Sequence, residues 1–242
     1  MTWTEKSLSA LPMAGGYRLR GEAMTRIEVF SDAAFAFAVT MLVISLSSIP
    51  KNYAELIVAI KGVPAFAASF SVIMVLWVSH RRWSRRFGLD DGISTFLTLA
   101  LVFIILVYVY PLKLMMNVLF FAISGGRLPS HFAISEASEV AGLVVLYGTG
   151  FCLVATIQLG LYLRVASQAE ALCLSRLERL LVKEEQRIWI VQAVAGFLSA
   201  AIGAIFYHTV GCFAGLIYAL IPLAILWATR GARKERHRLQ SS

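Results

Sequence analysis

The run Arg26-Ile27-Glu28-Val29-Phe30-Ser31-Asp32 sets three ionisable side chains within seven residues, and no further charge follows until Lys51. A carboxylate carried into an apolar helix at Asp32 costs several kcal/mol unless it is paired or hydrogen-bonded. It therefore either exchanges protons and ions or ties its helix to polar neighbours. Trp77 and His80, three residues apart in a second apolar run, are the partners at matching depth, and Arg26 is long enough to fold back and join them. Taken alone, Arg26 and Glu28 also fit the pattern of charges that flank a membrane segment.

Helical geometry separates a second group. At 100° per residue, Arg26, Phe30, Ala33, Phe37, Thr40, Met41, Ile44 and Ser48 fall within about 60° of one line along the first run. Asp32 and Glu28 lie on the far side, roughly 140° and 180° from Phe37, with Ser31 on the flank. The spacing predicts an apolar stripe, interrupted by the Thr40 hydroxyl, that faces away from the acids.

The elements that must carry these residues are membrane helices. The 242-residue chain is 59% apolar and only 15% charged, the composition of an integral membrane protein. Six stretches, near 27–48, 63–82, 93–112, 139–163, 188–207 and 210–229, match the roughly 20 apolar residues a helix needs to cross about 30 Å of hydrocarbon. None has the period-two alternation of a barrel strand. The expected fold class is an all-α membrane protein with six transmembrane helices. Eighteen of the 22 lysines and arginines fall before the first span, between the second and third, between the fourth and fifth, or after the sixth. Only Lys51, Lys61, Lys113 and Arg127 lie on the other side, a bias that predicts both termini in the cytoplasm and a multi-pass protein of the cell's inner (cytoplasmic) membrane. It also directs the net charge of +8 toward anionic headgroups and away from nucleic acid.

Residues 1–25, with Pro12, Gly15, Gly16 and Gly21, are expected outside the fold as a flexible N-terminal segment. Residues 26–229 form the six-helix transmembrane domain, and 230–242 a basic cytoplasmic tail. Residues 52–62 predict a short interfacial helix. The third span is expected to stop at about Pro111, leaving 113–137 as an amphipathic outer connection. Residues 164–187 predict a cytoplasmic helical extension, and Pro222 a kink in the sixth span. Cys152, Cys173 and Cys212 are too few and too scattered for a disulfide framework or a metal site, so no cofactor is implied. The absence of H-E-x-x-H and G-x-S-x-G argues against an enzyme.

Arg26, Phe30, Ser31 and Asp32, spaced R-x-x-x-F-S-D and followed by small and apolar residues up to Thr40, resemble the signature that opens the first helix of the transmembrane protein 175 family of potassium channels, in its bacterial branch. The ending Leu76-Trp77-Val78-Ser79-His80 resembles that family's second helix. The resemblance implies a K+-permeable homotetramer embedded in the lipid bilayer, with four copies of the first helix around a central pore. It implies that Arg26, Phe30, Ser31, Asp32, Trp77 and His80 form a structural hydrogen-bond network. The constriction or gate would be Phe37, continued by Met41 and Ile44, and Thr40 would be the selectivity layer. Phe37 departs from the isoleucine or leucine usual at that place. With no carbonyl-lined T-V-G-Y-G filter, modest selectivity for K+ over Na+ is implied. Two other readings stay open: a proton or ion-coupled carrier using Asp32 and His80, and a non-conducting membrane assembly protein whose axis Phe37 seals.

Overall fold

A computed structural model describes residues 3, 5–21, 23–44, 50–130, 136–209 and 211–241. In chain order it contains α1 (Glu5–Ser9), a hairpin of β1 (Met13–Ala14) and β2 (Tyr17–Arg18), α2 (Arg26–Ile44), α3 (Tyr53–Lys61), α4 (Val63–Phe87), α5 (Gly92–Ile123), α6 (Ala137–Ser167) and α7 (Arg176–Ile205). A 3-10 segment, η1 (Gly211–Leu220), runs into α8 (Ile221–Ser241). Helices α2, α4, α5, α6 and α7, with the unit made by η1 and the start of α8, are the six membrane spans. A helix satisfies its backbone amides internally, which is what lets these apolar runs cross lipid.

The helix ends follow the local sequence. Asn52 caps α3 by accepting from the Glu55 backbone N–H at 2.9 Å. Asp91 caps α5 through the Ser94 N–H at 2.9 Å and pairs with Arg164 of α6 at 3.0 Å. Burial pushes the Asp91 carboxyl up, but the Ser94 amide and the Arg164 guanidinium outweigh it and hold the group below the usual carboxylate range. Ser175 and Glu178 form a reciprocal capping box at the start of α7.

Two expectations differ from the structure. Helix α5 does not stop at Pro111 but runs on to Ile123, with Lys113 and Asn117 turned into the protein. A proline in a membrane helix removes one backbone donor, a cost that neighbouring helices can absorb. Residues 164–187 are not one extension: α6 closes at Ser167, a turn follows, and from Arg176 the chain is already α7. Pro222 stands in the first turn of α8, where the 3-10 segment becomes α-helical and its missing N–H costs little. The first span is described only to Ile44, so Ser48 lies outside the described residues.

The N-terminal segment departs furthest from expectation, because it packs onto the basic end of the bundle. Tyr17 is buried against Phe87 at 5.6 Å between ring centroids, and the Arg86 guanidinium lies 4.3 Å over the Tyr17 ring. Arg20 and Glu178 form a buried, bidentate ion pair at 2.8 and 3.1 Å. The Gly21 N–H donates to the Arg85 carbonyl at 3.1 Å, and a Cβ at Gly21 would stand 2.6 Å from the Ser84 carbonyl oxygen. Gly88 ends α4 with a φ of 58°, and a Cβ there would stand 3.0 Å from the Arg20 carbonyl. This strap therefore fixes the chain only five residues ahead of α2.

Packing between α6 and α7 depends on small residues, since in lipid van der Waals fit replaces the hydrophobic drive. An added Cβ at Gly196 would meet the Cys152 backbone nitrogen at 2.7 Å. Gly196→Val is expected to lower unfolding stability in detergent by about 1–3 kcal/mol, the usual cost of forced overpacking. A variant as stable as the parent would show that the helices part without cost.

Candidate functional site

Two faces of α2 carry the site. Ser31, Phe35, Ala38 and Leu42 are buried and form the seam that packs on α4 and α5. Phe30, Phe37, Thr40 and Ile44 are exposed in the single chain, Phe37 at 53% and Ile44 at 69%. Spacing of 100° per residue sets this exposed stripe about 145° from the seam. Met41 lies at the stripe's edge and is half-buried against the core. The Thr40 hydroxyl donates to the Ala36 carbonyl at 3.0 Å, which commits its proton to the helix and leaves its lone pairs turned outward.

On the flank of the seam, the Trp77 indole N–H donates to Asp32 Oδ1 at 2.7 Å and joins α2 to α4. His80 does not reach Asp32. Its Nε2 stands 3.2 Å from the Thr98 hydroxyl of α5, while its ring lies between Phe35 and Trp83 at centroid distances of 6.4 and 5.9 Å. The Ser31 hydroxyl donates to the Glu28 carbonyl of its own helix at 2.9 Å. Arg81 lies 5.3 Å from the Trp77 ring centroid, a cation–π contact. Glu28, Ser31, Asp32, Trp77, His80 and Arg81 all border one cavity of about 460 Å³.

Arg26 and Phe30 stand apart from this group. They border a separate cleft with Asp90, Thr95 and Leu99, and among the described residues no hydrogen bond or ion pair is made by Arg26. The expectation that Arg26 folds back to Asp32 is not met within the chain. Six helical residues separate the two side chains by about 120° around the axis and about 9 Å along it, which carries the guanidinium to the other face.

Thr25 and Ser84 add to the connection through Glu28. The Thr25 N–H donates to Glu28 Oε2 at 2.8 Å, and the Glu28 N–H donates back to the Thr25 hydroxyl at 3.3 Å. This is a capping box, and its T-x-x-E spacing was legible. The other Glu28 oxygen accepts from the Ser84 hydroxyl of α4, a contact no spacing foretells. Among the described residues no group of three or more His, Cys, Asp or Glu side chains is placed to hold a metal ion.

Asp32→Ala removes the acceptor of the Trp77 indole. An unpaired donor in this setting costs about 1–3 kcal/mol. Thermal unfolding should show that loss, and Asp32→Asn, which keeps an acceptor oxygen, should recover most of it. Equal behaviour of both variants and the parent would reject a structural role for this bond.

A bundle of six spans, with one apolar helix face left uncovered and a polar clasp behind it, is the architecture of an integral membrane protein. Residues 26–111 match the family described as the endosomal/lysosomal potassium channel TMEM175. A protein of Marivirga tractuosa described as a potassium channel is 31% identical over 236 residues, covering 93% of this chain and 94% of that protein. The crystal structure of a point variant of the potassium channel MtTMEM175, bound to a nanobody–MBP fusion protein, superposes with a TM-score of 0.78 at 28% identity, over 93% of this chain and all of that one. A TMEM175 homologue from Chamaesiphon minutus shares the fold, with a TM-score of 0.55 at 20% identity, over 84% of this chain and 96% of the other. The chain belongs to the TMEM175 family of potassium channels, in its bacterial branch.

Proposed function

We propose that the chain assembles as a homotetramer whose four α2 helices surround a K+-permeable pore. Phe37 forms the constriction, Met41 and Ile44 continue the apolar wall, and Thr40 supplies the selective layer. The observation that carries this reading is the stripe of Phe30, Phe37, Thr40 and Ile44, exposed along the face of α2 opposite its packed seam. Apolar rings gate by excluding water, so an ion passing Phe37 must shed part of its hydration. The outward lone pairs of Thr40 replace some of that water. Hydroxyls and dehydration discriminate weakly, and a modest preference for K+ over Na+ follows.

The Asp32–Trp77 bond and the Glu28–Ser84 contact hold α2 against α4 from behind the pore, and the His80 contact with Thr98 ties α4 to α5. Arg26, on the stripe side, is left to meet groups of another subunit. The distribution of basic residues supports cytoplasmic termini and residence in the inner membrane. A carrier that shuttles protons between Asp32 and His80 is less favoured, because these two side chains are bonded to different partners. Proteoliposomes loaded with K+ decide between them. Passive K+ efflux without a linked pH change is expected, with slower Na+ efflux. Flux that requires proton counter-movement would overturn the channel reading.

A further inference from the structure

A further cavity, away from the pore face, lies where the N-terminal hairpin meets the last turns of α4, and it shares Arg81 and Arg85 with the cavity around Asp32. It holds about 540 Å³, and Gly15, Val78, Arg81, Arg82, Arg85 and Arg86 are among its lining residues, with no carboxylate among the described ones. Arg86 is held at its edge by Glu185 of α7 at 3.0 Å and by the Tyr17 ring. Arg81 lies over the Trp77 ring and also borders the cavity of Glu28 and Asp32, and among the described residues it makes no ion pair with either. Arg82 is exposed, and among the described residues it makes no hydrogen bond or ion pair. Gly15, at φ 60° in the hairpin turn, lines the cavity on one side, while Val78 one turn deeper in α4 is apolar.

We propose that this cavity binds a phosphate-bearing anion, held chiefly by Arg81 and Arg82. Guanidinium forks match phosphate oxygens in pairs, and Arg81 and Arg82, neither ion-paired among the described residues, favour a group of one or two negative charges. The position at the basic end of a membrane span, with an apolar wall above, is the depth of a phospholipid headgroup. Occupancy would brace the hairpin against α4, and with it the strap that fixes the entry of α2 through Gly21 and the Arg85 carbonyl.

The test reads binding and not flux, so it stands apart from the pore assignment. The purified full chain in neutral detergent is titrated with phosphatidylglycerol while its thermal unfolding midpoint is followed. A rise in midpoint is expected for the parent, and loss of two charge-assisted contacts in the Arg81→Gln/Arg82→Gln double variant should raise the half-saturating lipid concentration by about tenfold or more. Arg82→Gln alone removes no hydrogen bond or ion pair among the described residues and should fold normally while showing part of that shift. Lys183→Gln, an exposed cation lost from α7, should titrate as the parent does. Inorganic phosphate that reproduces the rise identifies free phosphate as the ligand, and a rise confined to the lipid identifies the headgroup. Equal titrations for parent and double variant, an equal loss for Lys183→Gln, or no response to either probe would overturn the proposal.

Discussion

Potassium flux through proteoliposomes is expected to rise about tenfold or more when Phe37 is truncated to alanine, with a simultaneous fall in the preference for K+ over Na+. The argument is steric and electrostatic together. In the proposed tetramer four phenyl rings meet at one level of the axis, and each exposes about half of its surface in the single chain. Replacing them by methyl groups widens the neck and lets water stay with the ion. A barrier lowered by only about 1.4 kcal/mol already multiplies a rate tenfold. Thr40 then remains as the sole polar layer, and a hydrated ion passes it with little discrimination. Phe37→Leu should fall between the two. The Phe37→Ala protein should also unfold as the parent does, because its side chain is not part of the seam formed by Phe35, Ala38 and Leu42. Unchanged flux and selectivity in a correctly assembled variant would remove Phe37 from the constriction.

Glu178→Ala carries the largest expected cost in stability. Arg20 and Glu178 are both buried, and each is satisfied beyond the pair itself. Arg20 Nε donates to the Leu172 carbonyl at 3.0 Å, while the Glu178 carboxylate also accepts from the Arg18 N–H and the Ser175 N–H, both at 2.9 Å. Removing the carboxylate leaves a guanidinium enclosed without its counter-charge, which typically costs about 3–5 kcal/mol. It also removes the side chain from the capping box of α7. The double replacement Arg20→Met/Glu178→Gln, which removes the charge from both sides, should be distinctly less destabilised than Glu178→Ala. Thermal unfolding of the three proteins measures the difference. If Glu178→Ala unfolds within error of the parent, the strap contributes no stability to the bundle.

That pair also marks a boundary of what a sequence can reveal. Arg20 sits in a segment of coil-like composition, and its partner is 158 residues away. Neither periodicity nor spacing connects them, because a buried ion pair is defined by two surfaces that come together only on folding. The same holds for Ser84 and Thr98, ordinary hydroxyls in apolar helices until Glu28 and His80 are brought against them.

The sequence by itself determined the membrane class and the six spans. The apolar runs are long, and a bilayer allows few ways of satisfying a backbone within it. It also determined the two-faced character of α2, since 100° per residue follows from the helix alone. Only the tertiary structure decided that α5 passes through Pro111, that Tyr17 and Arg20 pack onto the bundle, and that Arg26 leaves the clasp to Asp32 and Trp77. Each of these turns on which neighbour fills a given space, and a local pattern carries no record of its neighbours.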